Sequence, residues 1–206
     1  INTHDKFHAA CLAGDEEKAK LALTQLAQEE EFDVDGVFFT HPDFDVYARG
    51  RLLHIACASG FKDTFEQLRL LAANLKQLES DNCSPLAIAC KNEQVEIIST
   101  LIALNVPIDN GAIVEASRLS SLDILNLLIS NGVDLNQKKQ PTTTLQAACE
   151  SENIDTCTLL IEHGAKTNHP NSNGATPLHF ASKSHQLNLV KLLLAEEIAD
   201  VNAVDN

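Results

Sequence analysis

One short pattern recurs along this chain at intervals of about 33 residues, and it constrains the fold more than any other feature. Leu53 and Leu86 are 33 residues apart, as are Leu145 and Leu178, and each is followed three residues later by alanine. Ile113 occupies the same place between the two pairs. A period of this length indicates a repeat architecture, in which each unit buries its apolar face only against its neighbours.

The most complete copy, residues 171–202, shows what one unit should look like. Gly174 suits a turn with positive φ, Thr176 can cap a helix, and Pro177 is tolerated in the first helical turn. After that short helix, leucines at helical spacing predict a second helix with one apolar face. These leucines are Leu189, Leu192 and Leu193. Each copy is therefore predicted to be a tight turn followed by two short helices.

The run Thr176-Pro177-Leu178-His179-Phe180-Ala181 resembles the T-P-L-H-x-A signature of ankyrin repeats. The resemblance implies an all-α ankyrin-repeat solenoid of helix-turn-helix units with β-hairpin-like fingers, the finger being the segment before each first helix. One domain, 1–206, is expected, and the chain is expected to be truncated at its C-terminus because no polar cap repeat closes the array. The repeats are expected at about 1–27, 46–78, 79–109, 110–137, 138–170 and 171–206.

Two copies depart from the pattern. The third copy from the end has lost its T-P, and only a few residues separate Asp109 from Ile113, which predicts a shortened finger. Asn105 stands where a turn glycine is expected, and asparagine tolerates left-handed φ better than most residues. The other departure is an enlarged finger at about 27–49.

The enlarged finger concentrates the aromatic residues of the chain. It contains four of the eight phenylalanines and the only tyrosine, among seven acidic residues. Aromatic side chains can anchor a protein partner as buried hot spots. They can equally fold back over the flank of the first repeat, and the sequence leaves both interpretations open. The candidate partner-binding residues in this finger are Phe38, Phe39, Phe44 and Tyr47.

Composition excludes several classes of function. A net charge of −14 argues against nucleic acid as a partner, because phosphate binding needs clustered Lys and Arg. The apolar runs are far shorter than a membrane span, and no secretory leader opens the chain. We therefore expect neither a nucleic-acid nor a membrane partner, and this segment is expected to be a monomer.

The six cysteines and eight histidines do not form a catalytic or metal-binding pattern. Four of the cysteines directly follow the motif alanine, where a small apolar residue is wanted at a helix contact. These are Cys11, Cys57, Cys90 and Cys149. His8, His54 and His179 are the motif histidine, which in this family helps to hold the turn between repeats. We predict structural thiols in a reducing compartment, no metal, no cofactor and no catalysis.

The places that vary between repeats lie at the ends of the first helices, on the concave face of the fold that the resemblance implies. Three of the last four repeats have a basic residue there, and Lys138 and Lys139 fall in the finger beside them. Such a basic stripe could steer an acidic patch of a partner to this face, or it could simply be solvated surface. The helix-end candidates are Lys91, Arg118, Glu150 and Lys183.

Three hypotheses follow for function. The leading one is a cytoplasmic protein-interaction module that binds a protein or peptide on its concave face. The alternative is the non-catalytic, substrate-recruiting arm of a larger enzyme, as in bacterial effectors with ankyrin arrays, which would place the chain in a host cytosol. The third is a structural oligomer formed by stacking of the unsealed repeat ends.

Overall fold

The structure is a computed structural model that describes residues 3–29, 32–33, 52–76, 83–137, 141–184, 186–195 and 204. Most of the enlarged finger, including Phe38, Phe39, Phe44 and Tyr47, lies outside these ranges, as do Lys138 and Lys139. The described part contains helices in six successive pairs, one pair for each predicted copy. They are α1 (Thr3–Leu12), α2 (Glu16–Leu26), α3 (Leu52–Ser59), α4 (Lys62–Leu70), α5 (Pro85–Lys91), α6 (Val95–Ala103), α7 (Asn110–Leu119), α8 (Leu122–Ser130), α9 (Thr144–Glu150), α10 (Ile154–Glu162), α11 (Pro177–Lys183) and α12 (Leu187–Ala195).

These pairs confirm the predicted all-α fold of helix-turn-helix repeats. Within the described ranges no residue lies in a β-strand. The finger before α11 is a tight turn, in which the Asn171 N–H donates to the Ala175 carbonyl at 2.9 Å and Gly174 has a φ of +81°. The helices form two compact units, Ile1–Pro107 and Ile108–Asn206.

The first unit is built from the pairs α1/α2, α3/α4 and α5/α6. Helix α3 packs between α1 and α5, and the second helices form a further layer in which α4 contacts both α2 and α6. In the second unit, α9 likewise packs between α7 and α11, while α10 contacts α9 and α12. A first helix in the middle of either unit is therefore covered by a neighbouring repeat on each side.

The core of each unit includes buried side chains of the second helices, such as Phe65 and Leu160, and the seams between consecutive first helices. The motif leucine or isoleucine is almost fully buried at Leu53, Leu86, Ile113 and Leu145. The alanine three residues later has no exposed surface in the five repeats from the second onward. Alanine at this place lets the helix backbones approach closely, so that the larger leucines on either side can interdigitate. These alanines are Ala56, Ala89, Ala116, Ala148 and Ala181.

Gln146 connects two adjacent repeats and takes the place of the motif histidine. Its side chain completes a capping box with Thr143, accepting from the Thr143 N–H at 3.1 Å while the Gln146 N–H donates to the Thr143 hydroxyl at 3.3 Å. The same amide group donates through Nε2 to the Ala175 carbonyl in the next finger. Because the side chain is completely buried, no water can replace these partners.

A second set of polar contacts holds consecutive fingers together in the second unit. Asn136 donates through Nδ2 to the Gly164 carbonyl and accepts at Oδ1 from the Lys166 N–H, both at 2.8 Å. Asn171 donates to the Pro141 carbonyl at 3.1 Å. These asparagines occupy finger positions, where their side chains complete main-chain hydrogen bonds between repeats.

The shortened finger before α7 is confirmed. Residues 104–109 connect α6 to α7, whereas residues 163–176 connect α10 to α11. Asp109 replaces the lost T-P, because its carboxylate accepts from the Ala112 N–H at 2.9 Å and caps the helix. Asn105 takes the left-handed turn with a φ of +56°, as its side chain permits.

Replacing Gln146 with alanine should destabilise the protein by about 2 kcal/mol, because the buried Thr143 N–H loses its acceptor and the Ala175 carbonyl loses one of its two donors. Urea denaturation followed by helical circular dichroism measures the loss. Gln25→Ala, at an exposed position of α2, is the matched control and should change stability by less than about 0.5 kcal/mol. Equal effects from the two substitutions would contradict the assigned role of Gln146.

Ala72→Gly should stabilise the protein by about 0.5–1 kcal/mol. Ala72 follows α4 with a φ of +66°, a conformation that disfavours any residue with a Cβ, and glycine removes that penalty. The same substitution at exposed Ala9, inside α1, should instead lower stability by about 1 kcal/mol. Urea denaturation of both variants measures whether the two changes in the free energy of unfolding have opposite signs. A loss of stability in Ala72→Gly would contradict the argument from the positive φ.

Candidate functional site

The four described candidates of the predicted site all lie in the last turns of first helices. Lys91 ends α5 in the first unit, Arg118 lies one residue before the end of α7, and Glu150 and Lys183 end α9 and α11. All four are exposed. We call Arg118, Glu150 and Lys183, which belong to consecutive repeats of the second unit, the helix-end row.

Arg118 lies between two carboxylates. Its Nη1 is 2.9 Å from Oε1 of Glu115 on the same helix, and its Nη2 is 3.4 Å from Oε2 of Glu150 on the next repeat. The Arg118 and Glu150 side chains are 42% and 37% exposed, so each ion pair adds at most about 1 kcal/mol. The predicted basic stripe is therefore, in this unit, a row whose charge alternates from positive to negative to positive.

Lys183 differs from Arg118 in its surroundings. It ends α11, where a positive charge is favoured by the helix dipole, and it forms no ion pair with any residue that the structure describes. Its ammonium group is thus available to solvent or to a partner. Glu150 is the residue between it and Arg118 in the row, because α9 packs between α7 and α11.

Serine hydroxyls lie beside the row at the α7–α9 seam. Ser120 donates to Ser151 Oγ at 2.9 Å, and Ser151 in turn donates to the Ala148 carbonyl at 2.8 Å. Ser120 itself has a φ of +58° in the turn after α7. This contact could not be predicted from the sequence, because serine at a helix end is common and nothing in the repeat pattern marks a pair across the seam.

Among the described residues of the first unit, two ion pairs between repeats lie on the second helices. Lys20 Nζ is 3.2 Å from Oδ2 of Asp63, and Lys62 Nζ is 3.3 Å from Oε2 of Glu96. These pairs join α2 to α4 and α4 to α6. They lie on the other helix layer from Lys91, and the pattern of the first-helix ends does not predict them.

The cysteines are structural, as predicted. No two of the six are joined by a disulfide, and five are buried, whereas Cys83 is half-buried. Burial raises the pKa of the Cys11 thiol to about 12 and raises the pKa of Cys57 as well. The pKa of Cys149 is raised by its contact with the Cys157 thiol and by burial. A thiol held in its neutral form is a poor nucleophile.

The described histidines have structural surroundings too. His8 and His54 are buried, and His179 Nδ1 accepts from the Thr176 N–H at 3.1 Å, closing the turn of its own repeat. His163 and His169 contact backbone carbonyls at 2.8 and 3.1 Å. In the ranges that the structure covers, no three His, Cys, Asp or Glu residues are grouped as a metal site would require. Among the same residues, no helix is both long enough and apolar enough to cross a bilayer.

Comparison with known proteins gives a consistent result over most of the chain. A family model described as "Ankyrin repeats (3 copies)" matches residues 53–139 and again 113–205. Ankyrin repeat protein FPV031 of Fowlpox virus (strain NVSL) is 34% identical over 137 residues, which cover 61% of this chain and 40% of the viral protein. The nuclear factor NF-kappa-B p105 subunit of Gallus gallus is 31% identical over 142 residues, which cover 63% of this chain and 14% of that protein.

A solved structure extends the similarity to the whole fold. The human ASB11 ankyrin repeat domain superposes with a TM-score of 0.73 at 21% identity, covering 97% of this chain and 86% of that domain. At this level of identity the match supports the fold alone. The chain spans less than half the length of the viral and chicken relatives.

Burial of five thiols predicts slow modification of the native protein, although the contact with Cys149 lowers the pKa of Cys157. In a titration with a disulfide reagent at pH 8, Cys83 should react first, and the five buried thiols should react only when urea unfolds the chain. For Cys11, whose pKa is about 12, the rate should remain low up to pH 9. Cys83→Ser should abolish the fast phase. Rapid reaction of several thiols in the native protein would contradict the finding that five of the six are buried.

Proposed function

This chain belongs to the ankyrin repeat family, and we propose that it is a protein-interaction module whose binding surface is formed by the exposed ends of its first helices. Ankyrin repeats generally serve as interaction modules, and the arrangement of this chain fits that use. The residues that hold the repeats together are buried at the seams, whereas those in the last turns are exposed and differ from repeat to repeat. The proposal rests on this difference between buried residues that recur in each repeat and exposed last-turn residues that vary.

We assign this segment the binding of a protein or peptide and no reaction. Five of its six thiols are buried, and burial raises the pKa of the Cys11 and Cys57 thiols, which makes them unsuited to nucleophilic catalysis. The net charge of −14 disfavours nucleic acid as the partner. Six cysteines without a disulfide suit a reducing compartment such as the cytoplasm, where we place the protein.

The proposed contact residues fall into two groups, those that the structure describes and those that are named from the sequence alone. Arg118, Glu150 and Lys183 are exposed in consecutive repeats of one unit, and Lys91 is exposed at the same place in the other. The second group, Phe38, Phe39, Phe44, Tyr47, Lys138 and Lys139, stays a proposal from sequence alone. Lys183 is the strongest candidate for an acidic contact, since it forms no ion pair with a described residue.

The test compares two charge reversals in one unit. Immobilised protein captures partners from cell extract, mass spectrometry identifies them, and the affinity of a purified partner is then measured by calorimetry. Lys183→Glu, on the proposed surface, should weaken binding at least about fivefold, because it places like charges at the contact. Lys191→Glu on α12 makes the same charge change on the other helix layer and should leave the affinity unchanged.

Both variants must first show wild-type thermal unfolding, so that a loss of affinity reports on the surface. The proposal fails if no protein is captured above background. It fails equally if Lys183→Glu and Lys191→Glu change the affinity of a captured partner to the same extent, because the helix ends would then have no special role.

A further inference from the structure

Exposed apolar side chains recur at the first position of the second helices. The fold does not require an apolar residue at this position, because Glu16 begins α2 and Lys62 begins α4. The next four second helices nevertheless begin with an apolar residue that is between 39% and 63% exposed. Packing of the repeats therefore does not explain this recurrence, whereas contact with a partner protein does. The four residues are Val95, Leu122, Ile154 and Leu187.

Two of these residues lie on neighbouring turns of the second unit, together with a further exposed leucine. Leu119 ends α7 and is 43% exposed, and Leu122 begins α8 three residues later. The turn between these two helices contacts the turn that leads to Ile154, because the Ser120 hydroxyl donates to Ser151 Oγ at 2.9 Å. Three exposed apolar residues thus lie on the two sides of one seam between repeats.

Exposed carboxylates adjoin these apolar residues in the chain. Asp123 follows Leu122, while Glu152 and Asp155 lie just before and just after Ile154. All three carboxylates are exposed, and none forms an ion pair with a residue that the structure describes. We call this set of residues the apolar-acidic patch: Leu119, Leu122, Asp123, Glu152, Ile154 and Asp155.

The basic residue beside the patch does not offset its negative charge. Arg118 precedes Leu119, but its guanidinium already lies between the carboxylates of Glu115 and Glu150, at 2.9 and 3.4 Å. These two carboxylates outnumber the one guanidinium, so this group of three is itself net negative. The patch therefore combines an apolar surface with an acidic surrounding.

We propose that the apolar-acidic patch binds an amphipathic helix of a partner protein, whose apolar face is bordered by Lys or Arg. The leucines and the isoleucine lose solvent on contact with the apolar face, and the carboxylates select the basic border. The net charge of −14 acts in the same direction, because it attracts a basic segment from a distance. This inference goes beyond the proposed function, since it assigns residues outside the helix-end row and a partner of defined chemistry.

A helical partner suits these turns better than an extended segment does. An extended segment added to a surface binds largely through main-chain hydrogen bonds. The turn after α7 already uses the carbonyls of Ala116 and Ser117, and the turn after α9 uses those of Ala147 and Cys149. A helix satisfies its own main-chain groups and presents side chains alone. The patch offers side chains of the matching kind.

The experiment uses three labelled peptides and the full chain. The first peptide has about 18 residues, long enough to form a helix, with leucines along one face and lysines on both borders in an alanine background. The second has glutamate in place of lysine, and the third has serine in place of leucine. Fluorescence anisotropy at physiological ionic strength should show the first binding at least about tenfold more tightly than either of the others.

Substitutions in the patch should weaken binding of the leucine–lysine peptide. Asp155→Asn and Ile154→Ser should each weaken it about two- to fivefold. Glu162→Gln removes the same charge at the other end of α10, and Leu194→Ser removes an exposed leucine of α12. These two matched controls should leave the affinity unchanged. Circular dichroism must first show that all four variants retain the helix content of the wild type.

Four results would overturn the inference. They are equal binding of the leucine–lysine peptide and either other peptide, equal effects of Asp155→Asn and Glu162→Gln, equal effects of Ile154→Ser and Leu194→Ser, or no measurable binding by any peptide. A captured partner whose affinity depends on Lys183, together with any of these results, would retain the proposed function and remove only the patch. Peptide binding through the patch without any captured partner would do the reverse.

Discussion

Contact between consecutive first helices is the interaction on which the rest of this structure depends. Each repeat contributes two short helices, which cannot bury their apolar faces by themselves. The fully buried motif alanines let neighbouring helices approach closely, and the motif leucines fill the space between them. Cysteine after the alanine adds a small apolar group to the same seam, which explains why most of the thiols are buried.

Polar contacts then fix the register of one repeat against the next. The Gln146 side chain closes its own helix cap and reaches the Ala175 carbonyl, while Asn136 joins its finger to the following one. The Gln146 amide is buried, so it is satisfied only when the neighbouring repeat is in place. Asn136 is half-buried, and its bonds add a second polar link between consecutive fingers.

The repeated elements could be predicted from the sequence because their cause is local and periodic. The 33-residue spacing, the capping residues and the leucine pattern predict six helix pairs, and Asp109 and Asn105 account for the shortened finger. Contacts between side chains of different repeats could not be predicted in the same way. The Arg118–Glu150 and Lys20–Asp63 pairs depend on rotamers and on helix orientation, which no single-repeat pattern specifies.

In the candidate site, too, the positions of residues could be predicted from the sequence but their contacts across repeats could not. The repeat pattern predicts Arg118, Glu150 and Lys183 at equivalent places near the ends of first helices, and in the structure all three are exposed there. The sequence pattern names Glu150 at the same helix ends, but it does not predict that Arg118 pairs with Glu115 on its own helix and with Glu150 on the next repeat.

The most direct test of this account is hydrogen exchange of the native chain, followed by mass spectrometry and resolved helix by helix. If the seams between first helices hold the repeats together, the amide hydrogens of α9 should exchange more slowly than those of α10 and α12 in the same unit. Slowest exchange in the second helices, or equal exchange in all of them, would contradict the central claim.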